Sequence, residues 1–341
     1  MPVGPKNNAA GHANGNVRVA VPPVDDCLRP FAFHGVDISI RGAEGVADCP
    51  LCGREGKWYV STDTSQWSCK VCGASGNALT FLQQLWDRSD AATPNDALRL
   101  LAEDRGLLDQ STLVAWGACQ SVVDRCWLVP GYDARGKLCQ LYRRVRTMKK
   151  PGEWSNLLLP TPGVWPDGRV HALHMASMSF DATKPNLWLT EGPWDGMALW
   201  EVARQCKRGA SGDLEFTGSE ASSLLHDTNV VSVPGCNVFN QDWLALCRGK
   251  SVTLMYDSDH PRLHCVPCKK TWSKIDHDKC PNCGGPLTGP EVSPSGYDGM
   301  RRAAKLLSGV ASEVKWLKWS DDGYDSGKPS GYDVRDLLTG K

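Results

Sequence analysis

The 341-residue chain contains no apolar run approaching the roughly 18 residues that mark a membrane-crossing helix, so no membrane partner is expected. Its first residues, MPVGPKNNAAGHANGN, lack the apolar stretch of a secretory leader and are rich in Gly, Asn and Pro, which predicts a flexible tail over residues 1–26. Net charge is absent as well: 38 Lys and Arg balance 38 Asp and Glu, which argues against a protein that coats nucleic acid indiscriminately. A phosphate-binding loop is also missing. The only near match to G-x-x-x-x-G-K-[ST] is LALCRGKS, where Leu244 stands in the first glycine position.

Cysteine, by contrast, is plentiful. Eight of the 15 cysteines fall into two quartets of paired Cys-x-x-Cys, and seven are scattered. An odd remainder with no leader points to a reducing compartment, and hence to metal ligation and a cytoplasmic location. The first quartet is Cys49, Cys52, Cys69 and Cys72, with 16 alternating residues between the pairs; the second is Cys265, Cys268, Cys280 and Cys283, with 11. Four thiolates delivered two by two suit tetrahedral zinc, whereas a redox pair needs only one Cys-x-x-Cys. Two zinc sites are therefore expected, the first in a small ribbon that depends on metal for its fold. Trp58, Tyr59 and Trp67 on that ribbon either pack its core or stack bases. His264 and His277, beside the second quartet, are bystanders because four thiolates suffice.

Residues 77–105 show two amphipathic helical patterns, with Asn77 as a cap, Pro94 near the second start and Gly106 as a stop. Residues 125–150 then hold eight cations against the single acid Asp133, a local charge of +7. The stretch CWLVPGYDARGKLCQLYRRVRTMKK predicts strand, turn and strand, the second strand ending in Arg143, Arg144, Arg146, Lys149 and Lys150. If each of these five meets a phosphate of a single strand, the salt slope of binding is about −3.5. The alternative is a solvated, charged strand edge.

Downstream, NLWLTEGPWDGMALW predicts a buried strand, a sharp turn at Glu191 and Gly192, and a helix opened by Pro193. TNVVSVPG and KSVTLMYDSD predict two further buried strands, so alternating β and α argue for a mainly parallel sheet with its working groups at the strands' carboxyl ends. Glu191, Asp257 and Asp259 all fall there. If their strands are neighbours, the three carboxylates lie within about 5 Å, and each like pair costs roughly 3 kcal/mol at an effective dielectric near 20. Such a cluster binds a divalent cation or keeps a proton. An all-oxygen set suits magnesium or manganese. Asp195 either joins them or caps its helix. Beyond the second quartet, YDGMRRAAKLLS predicts a helix, SEVKWLKW a strand, and GYDVRDLL supplies Asp333 and Asp336.

LTEGPWDGMAL, YDSD and YDGMRRAAKLL resemble the signature blocks of the Toprim domain. The order of zinc ribbon, helical linker, basic subdomain and Toprim is similar to that of bacterial and phage DNA primases of the Toprim type. The resemblance covers roughly residues 35–340. It implies an α/β architecture: a zinc-ribbon domain with helical linker over 27–106, a basic α+β subdomain over 107–184, and a Toprim domain over 185–341 with a zinc knuckle inserted at about 261–294. Glu191 matches the family's catalytic glutamate, Asp257 and Asp259 its Asp-x-Asp, and Asp195 the lesser acid of the first block. GYDVRDLL resembles the third acidic element, with Asp333 and Asp336 spaced by two residues where the cellular enzymes usually have one. The implied activity is synthesis of RNA primers on a single-stranded DNA template from ribonucleoside triphosphates, with magnesium held by Glu191, Asp195, Asp257, Asp259 and Asp333. Arg143 to Lys150 would track template or triphosphates, and a replicative helicase would act in trans. Alternatives are a recombination-mediator-like DNA-binding protein and a Toprim nuclease.

Overall fold

The computed structural model describes residues 26–150, 153–165, 172–176, 180–209, 214–217, 222–273, 275, 277–289 and 291–340. The expected tail, apart from Asp26, lies outside the described residues. The fold is mixed α/β, with two Cys-x-x-Cys quartets and a central sheet that is largely parallel.

A short helix α1 (Arg29–Phe33) precedes an antiparallel ribbon of β1 (Ser39–Arg41), β2 (Glu44–Ala47), β3 (Trp58–Ser61), β4 (Trp67–Cys69) and β5 (Ser75–Gly76), paired in sequence order. Alternation along β3 and β4 turns Trp58, Val60 and Trp67 inward. The two indoles stack at 5.9 Å between ring centroids, with Phe31 edge-on to Trp58 and Phe81 edge-on to Trp67. Both tryptophans are therefore core, and base stacking by them is closed. Tyr59 stays half-buried, with the Lys70 ammonium 5.8 Å from its ring centroid.

The Asn77 side chain accepts the Thr80 amide and caps α2 (Ala78–Ala92), whose Phe81, Leu82 and Leu85 are fully buried. Pro94 precedes α3 (Asn95–Arg105), which stops at Gly106 in a left-handed conformation (φ 70°). Helix α4 (Gln110–Ala115) follows. An antiparallel sheet comes next: β6 (Cys119–Gln120), β7 (Trp127–Tyr132), β8 (Leu138–Lys150) and β9 (Glu153–Pro160).

After β10 (His174–Met175) the chain alternates: β11 (Asn186–Thr190), α5 (Pro193–Gln205), a hairpin of β12 (Cys206–Arg208) and β13 (Leu214–Phe216), β14 (Thr228–Ser232), the one-turn α6 (Leu244–Cys247) and β15 (Ser251–Met255). It then leaves for a small sheet of β16 (Arg262–His264), β17 (Thr271–Ser273) and β18 (Glu291–Val292) that carries the second quartet. It returns through α7 (Ser295–Leu307), β19 (Glu313–Trp316) and α8 (Val334–Thr339). The central sheet runs β10-β14-β11-β15-β19, parallel except at the β10 edge. β14 is buried at every residue, as a strand covered on both faces must be. The α5 side chain Glu201, 2% exposed, accepts the amides of Leu108 and Asp109 and the Thr112 hydroxyl, which stitches α4 to α5.

Candidate functional site

The two thiolate quartets share one turn. In each knuckle the amide four residues after the first cysteine donates to that cysteine's carbonyl: Gly53 to Cys49, Gly73 to Cys69, Lys269 to Cys265 and Gly284 to Cys280, at 2.8–3.2 Å. All four donor residues have positive φ, and only Lys269 (φ 57°) lacks glycine's freedom to adopt it. The turns bring each set of four Sγ atoms within 4.8 Å of one another. Sulfur pairs stand at 3.8–4.0 Å in the first quartet and 3.4–3.5 Å in the second. A zinc tetrahedron with bonds of about 2.3 Å has edges of about 3.8 Å, so both quartets fit the ion. His277 lies edge-on to Trp272, away from this role.

The carboxylates gather where the parallel strands end. β11 pairs with β15 from Asn186–Ser251 to Thr190–Met255, which sets Glu191 beside the start of the Tyr-Asp-Ser-Asp stretch. The Asp257 amide donates to Glu191 Oε2 at 3.4 Å. Asp259 Oδ2 accepts the Ser295 hydroxyl and, at 3.0 Å, the Gly296 amide, so the start of α7 holds this acid. Gly296 and Gly299 make that approach possible, since a Cβ at either would lie 2.4 Å from the Asp257 carbonyl oxygen and 2.3 Å from the Cys236 carbonyl oxygen respectively. The C-terminal segment comes in through a bridge between Ser258 and Tyr332, which delivers Asp333. Asp333 caps α8 by accepting the Asp336 amide and pairs with Arg335 at 2.8 Å.

Burial and mutual repulsion shape the electrostatics. Burial, then the nearby Asp259, push Glu191 up to about 7, while hydrogen bonding from the Asp257 amide and from Cys236 pulls the other way. Burial holds Asp257 well above the carboxylate range, with Glu191, Asp195, Asp333 and Asp259 adding to it. Asp195 is driven up by burial and by Asp333, against the pull of Arg335. Its Oδ1 is buried with no hydrogen-bond partner, and it stands in the first turn of α5, whose N-cap is Gly192. These acids, with Arg335 beside Asp333 and an orphaned oxygen on Asp195, are donors of the oxygen type that a hard divalent cation takes.

Two expectations need correction. The carboxylates do not make a cluster as tight as foreseen: among the described residues, only the two thiolate quartets bring three or more ligand atoms within 4.8 Å of one another. Glu191 and Asp259 are each drawn to separate backbone amides, which spreads them. Such a spread suits ions that keep several waters. The basic strip also divides, because successive residues of β8 face opposite ways. Arg143 is spent internally on the Phe33 carbonyl, Asp124 and Cys126 Sγ. Arg144 pairs with Asp104 at 2.9 Å. Arg146 is exposed, and the side chains of Lys149 and Lys150 lie outside the described residues.

No family model matches the sequence, and no curated protein matches it. Solved structures do. The chain resembles structures of DNA primases. The zinc-binding and RNA polymerase domains of the Aquifex aeolicus primase share 14% identity at a TM-score of 0.43, over 93% of this chain and 80% of that one. The primase fragment of the bacteriophage T7 primase-helicase shares 13% at 0.37, over 86% and 93%. The DnaG catalytic core shares 15% at 0.37, over 76% and 74%.

Sequence reasoning missed Ser295, Cys236, Arg335 and the Ser258–Tyr332 bridge. Arg335 was visible as the cation inside GYDVRDLL, between the two acids already singled out. Ser295 and Cys236 carried no signal, since they reach Asp259 and Glu191 only through tertiary contact.

Proposed function

We propose that the protein is a Toprim-type DNA primase that joins ribonucleotides on a single-stranded DNA template. The observation that supports this best is the convergence of Glu191, Asp257, Asp259, Asp195 and Asp333 at the carboxyl edge of one parallel sheet, Asp195 and Asp333 buried and the other three partly so. Glu191, Asp257 and Asp259 would hold magnesium, with Asp195 and Asp333 behind them. When bound, the ions would acidify the primer 3′-hydroxyl and neutralise the triphosphate. The residues' own part is positional. The Asp257 amide orients Glu191, the start of α7 orients Asp259, and the α8 cap fixes Asp333 and its partner Arg335. Glu191 would also take the proton of the attacking hydroxyl. The N-terminal ribbon would select the start site, and strand separation would come from a helicase partner, as these residues hold no phosphate loop.

The test is de novo synthesis with magnesium, four ribonucleotides and a pool of single-stranded templates, beside Glu191→Gln. Short oligoribonucleotides that vanish in the variant are expected. Strand binding by both proteins with product from neither would assign the chain to non-catalytic DNA binding.

A further inference from the structure

We propose that the groove between α7 and the inserted knuckle seats the phosphate backbone of the single strand that serves the carboxylates; this rests on the reading above. One face of α7 is apolar and packed, with Met300, Ala303 and Leu307 buried. The other presents Arg301, Arg302 and Lys305, all exposed and within about one helical turn. The three line a cavity of about 660 Å³ whose opposite wall is Val292 and Ser293, where the knuckle's last strand leads out. A second cavity of about 400 Å³ shares Arg302 and Lys305 and reaches Cys236.

Both cavities border the carboxylate site. Ser295 lines the first and donates its hydroxyl to Asp259. The Cys236 carbonyl lies against Gly299 of α7. The row of cations thus begins about 8 Å along the helix from the residues that hold Asp259 and runs away from it. Asp298 is the single acid in the lining, and its carboxylate is occupied by the Ser293 hydroxyl, a bond that ties knuckle to helix. Among the described residues, none of the three cations has an ion-pair partner within 4.0 Å. Arg301 lies over the Tyr297 ring at 5.7 Å, and Arg302 Nε reaches only the Asp298 carbonyl, at 3.3 Å. Cations repeated along a groove wall match charges repeated along a strand. The knuckle's contribution is the facing wall.

The experiment follows a labelled oligodeoxythymidylate by fluorescence anisotropy across potassium chloride concentrations, for the full chain and for R301Q/R302Q/K305Q. Three lost phosphate contacts should flatten the salt slope by about 2. Between 50 and 200 mM salt the parent then loses roughly twentyfold more affinity than the variant. A control, R88Q/R99Q, should keep the parental slope. Should the triple variant fail to fold, Lys305→Gln alone should lower the slope by about 0.7. An unchanged slope overturns the proposal, as does a protein that binds no strand. An unchanged slope with a raised nucleotide KM also overturns it and assigns the groove to a triphosphate. The Glu191→Gln protein separates this proposal from the last: it should keep the full slope, whether or not the parent makes primers.

Discussion

Alanine at Gly296 or Gly299 tests whether the seating of α7 governs the acid site. The added methyl would lie 2.4 Å from the Asp257 carbonyl oxygen at the first position and 2.3 Å from the Cys236 carbonyl oxygen at the second. Ordinary carbon–oxygen contact needs about 1 Å more, so α7 must withdraw by about that distance. Two effects oppose each other. Helix propensity favours alanine over an interior glycine by roughly 0.5–1 kcal/mol. Overpacking against backbone costs about 1–3 kcal/mol and wins. Because the Ser295 hydroxyl and the Gly296 amide hold Asp259, the withdrawal draws that carboxylate away from Glu191. A misplacement of about 1 Å at reacting groups costs on the order of a hundredfold in rate. Both variants should therefore lose about a hundredfold in primer synthesis and bind manganese more weakly by paramagnetic resonance. Zinc content and far-ultraviolet dichroism should stay unchanged. A Gly299→Ala protein stabilised by about 0.5–1 kcal/mol, with full activity and metal affinity, would refute the reasoning.

Two further predictions concern stability. His34 and His174 are fully buried, and burial holds them at about 3 and about 4. The unfolded chain binds their protons near pH 6.5, so stability is whole above that and falls as pH drops towards the folded values. The raised Glu191, Asp195 and Asp257 carboxyls work the other way over the same range, so the test is a difference: between pH 8 and 5.5 the parent should lose about 1.4 kcal/mol more stability to urea than His174→Asn does; an identical dependence in the variant would sink the argument. Lys269 is the only knuckle donor forced into left-handed backbone without being glycine. Lys269→Gly should stabilise the second knuckle by about 1 kcal/mol, or about fivefold in zinc retained against a chelator, and easier zinc loss would contradict it.

Legibility in the sequence followed the range of the interactions. The caps at Asn77, Pro94 and Gly106, the strand ending at Glu191 and the two quartets are local patterns, and each stands where spacing put it. Strand β9 was not foreseen, because EWSNLLLP lacks the two-residue alternation of a half-buried strand; it is defined by its pairing with β8. The basic strip shows the converse error. Charge density counted Arg143 and Arg144 as neighbours, yet the pleat of β8 separates them, and their acceptors, Phe33 and Asp104, come from distant elements. At the carboxylates the sequence supplied the acids but not their spacing, because Ser295 and the Cys236 loop reach them only through tertiary contact.

The inserted knuckle puts 35 residues, 260–294, between Asp259 and the helix that holds it, yet the contact between them is made. The reason lies in the neck. Strands β16 and β18 pair antiparallel, Arg262 opposite Val292 and Leu263 opposite Glu291, so the insert's two ends stand about 5 Å apart. To the chain on either side, that gap is what a connection of a few residues would span. The Gly289 amide closes the neck again on the His264 carbonyl at 2.9 Å. His260 anchors its base: its amide donates to Ser330 Oγ and its Nε2 to the Asp325 carbonyl, both in the segment that leads to Asp333. Among the described residues beyond the neck, the knuckle's buried core is Cys265, Cys280 and Leu287, with Leu263, Cys268 and Trp272 packed against it, small enough that a metal on the four thiolates would carry much of its stability. Its fold is thus independent of the sheet, while its position is fixed by contacts that also position the acids. An insert joined in this way adds a wall beside the site without entering the register that brings Glu191 to Asp257.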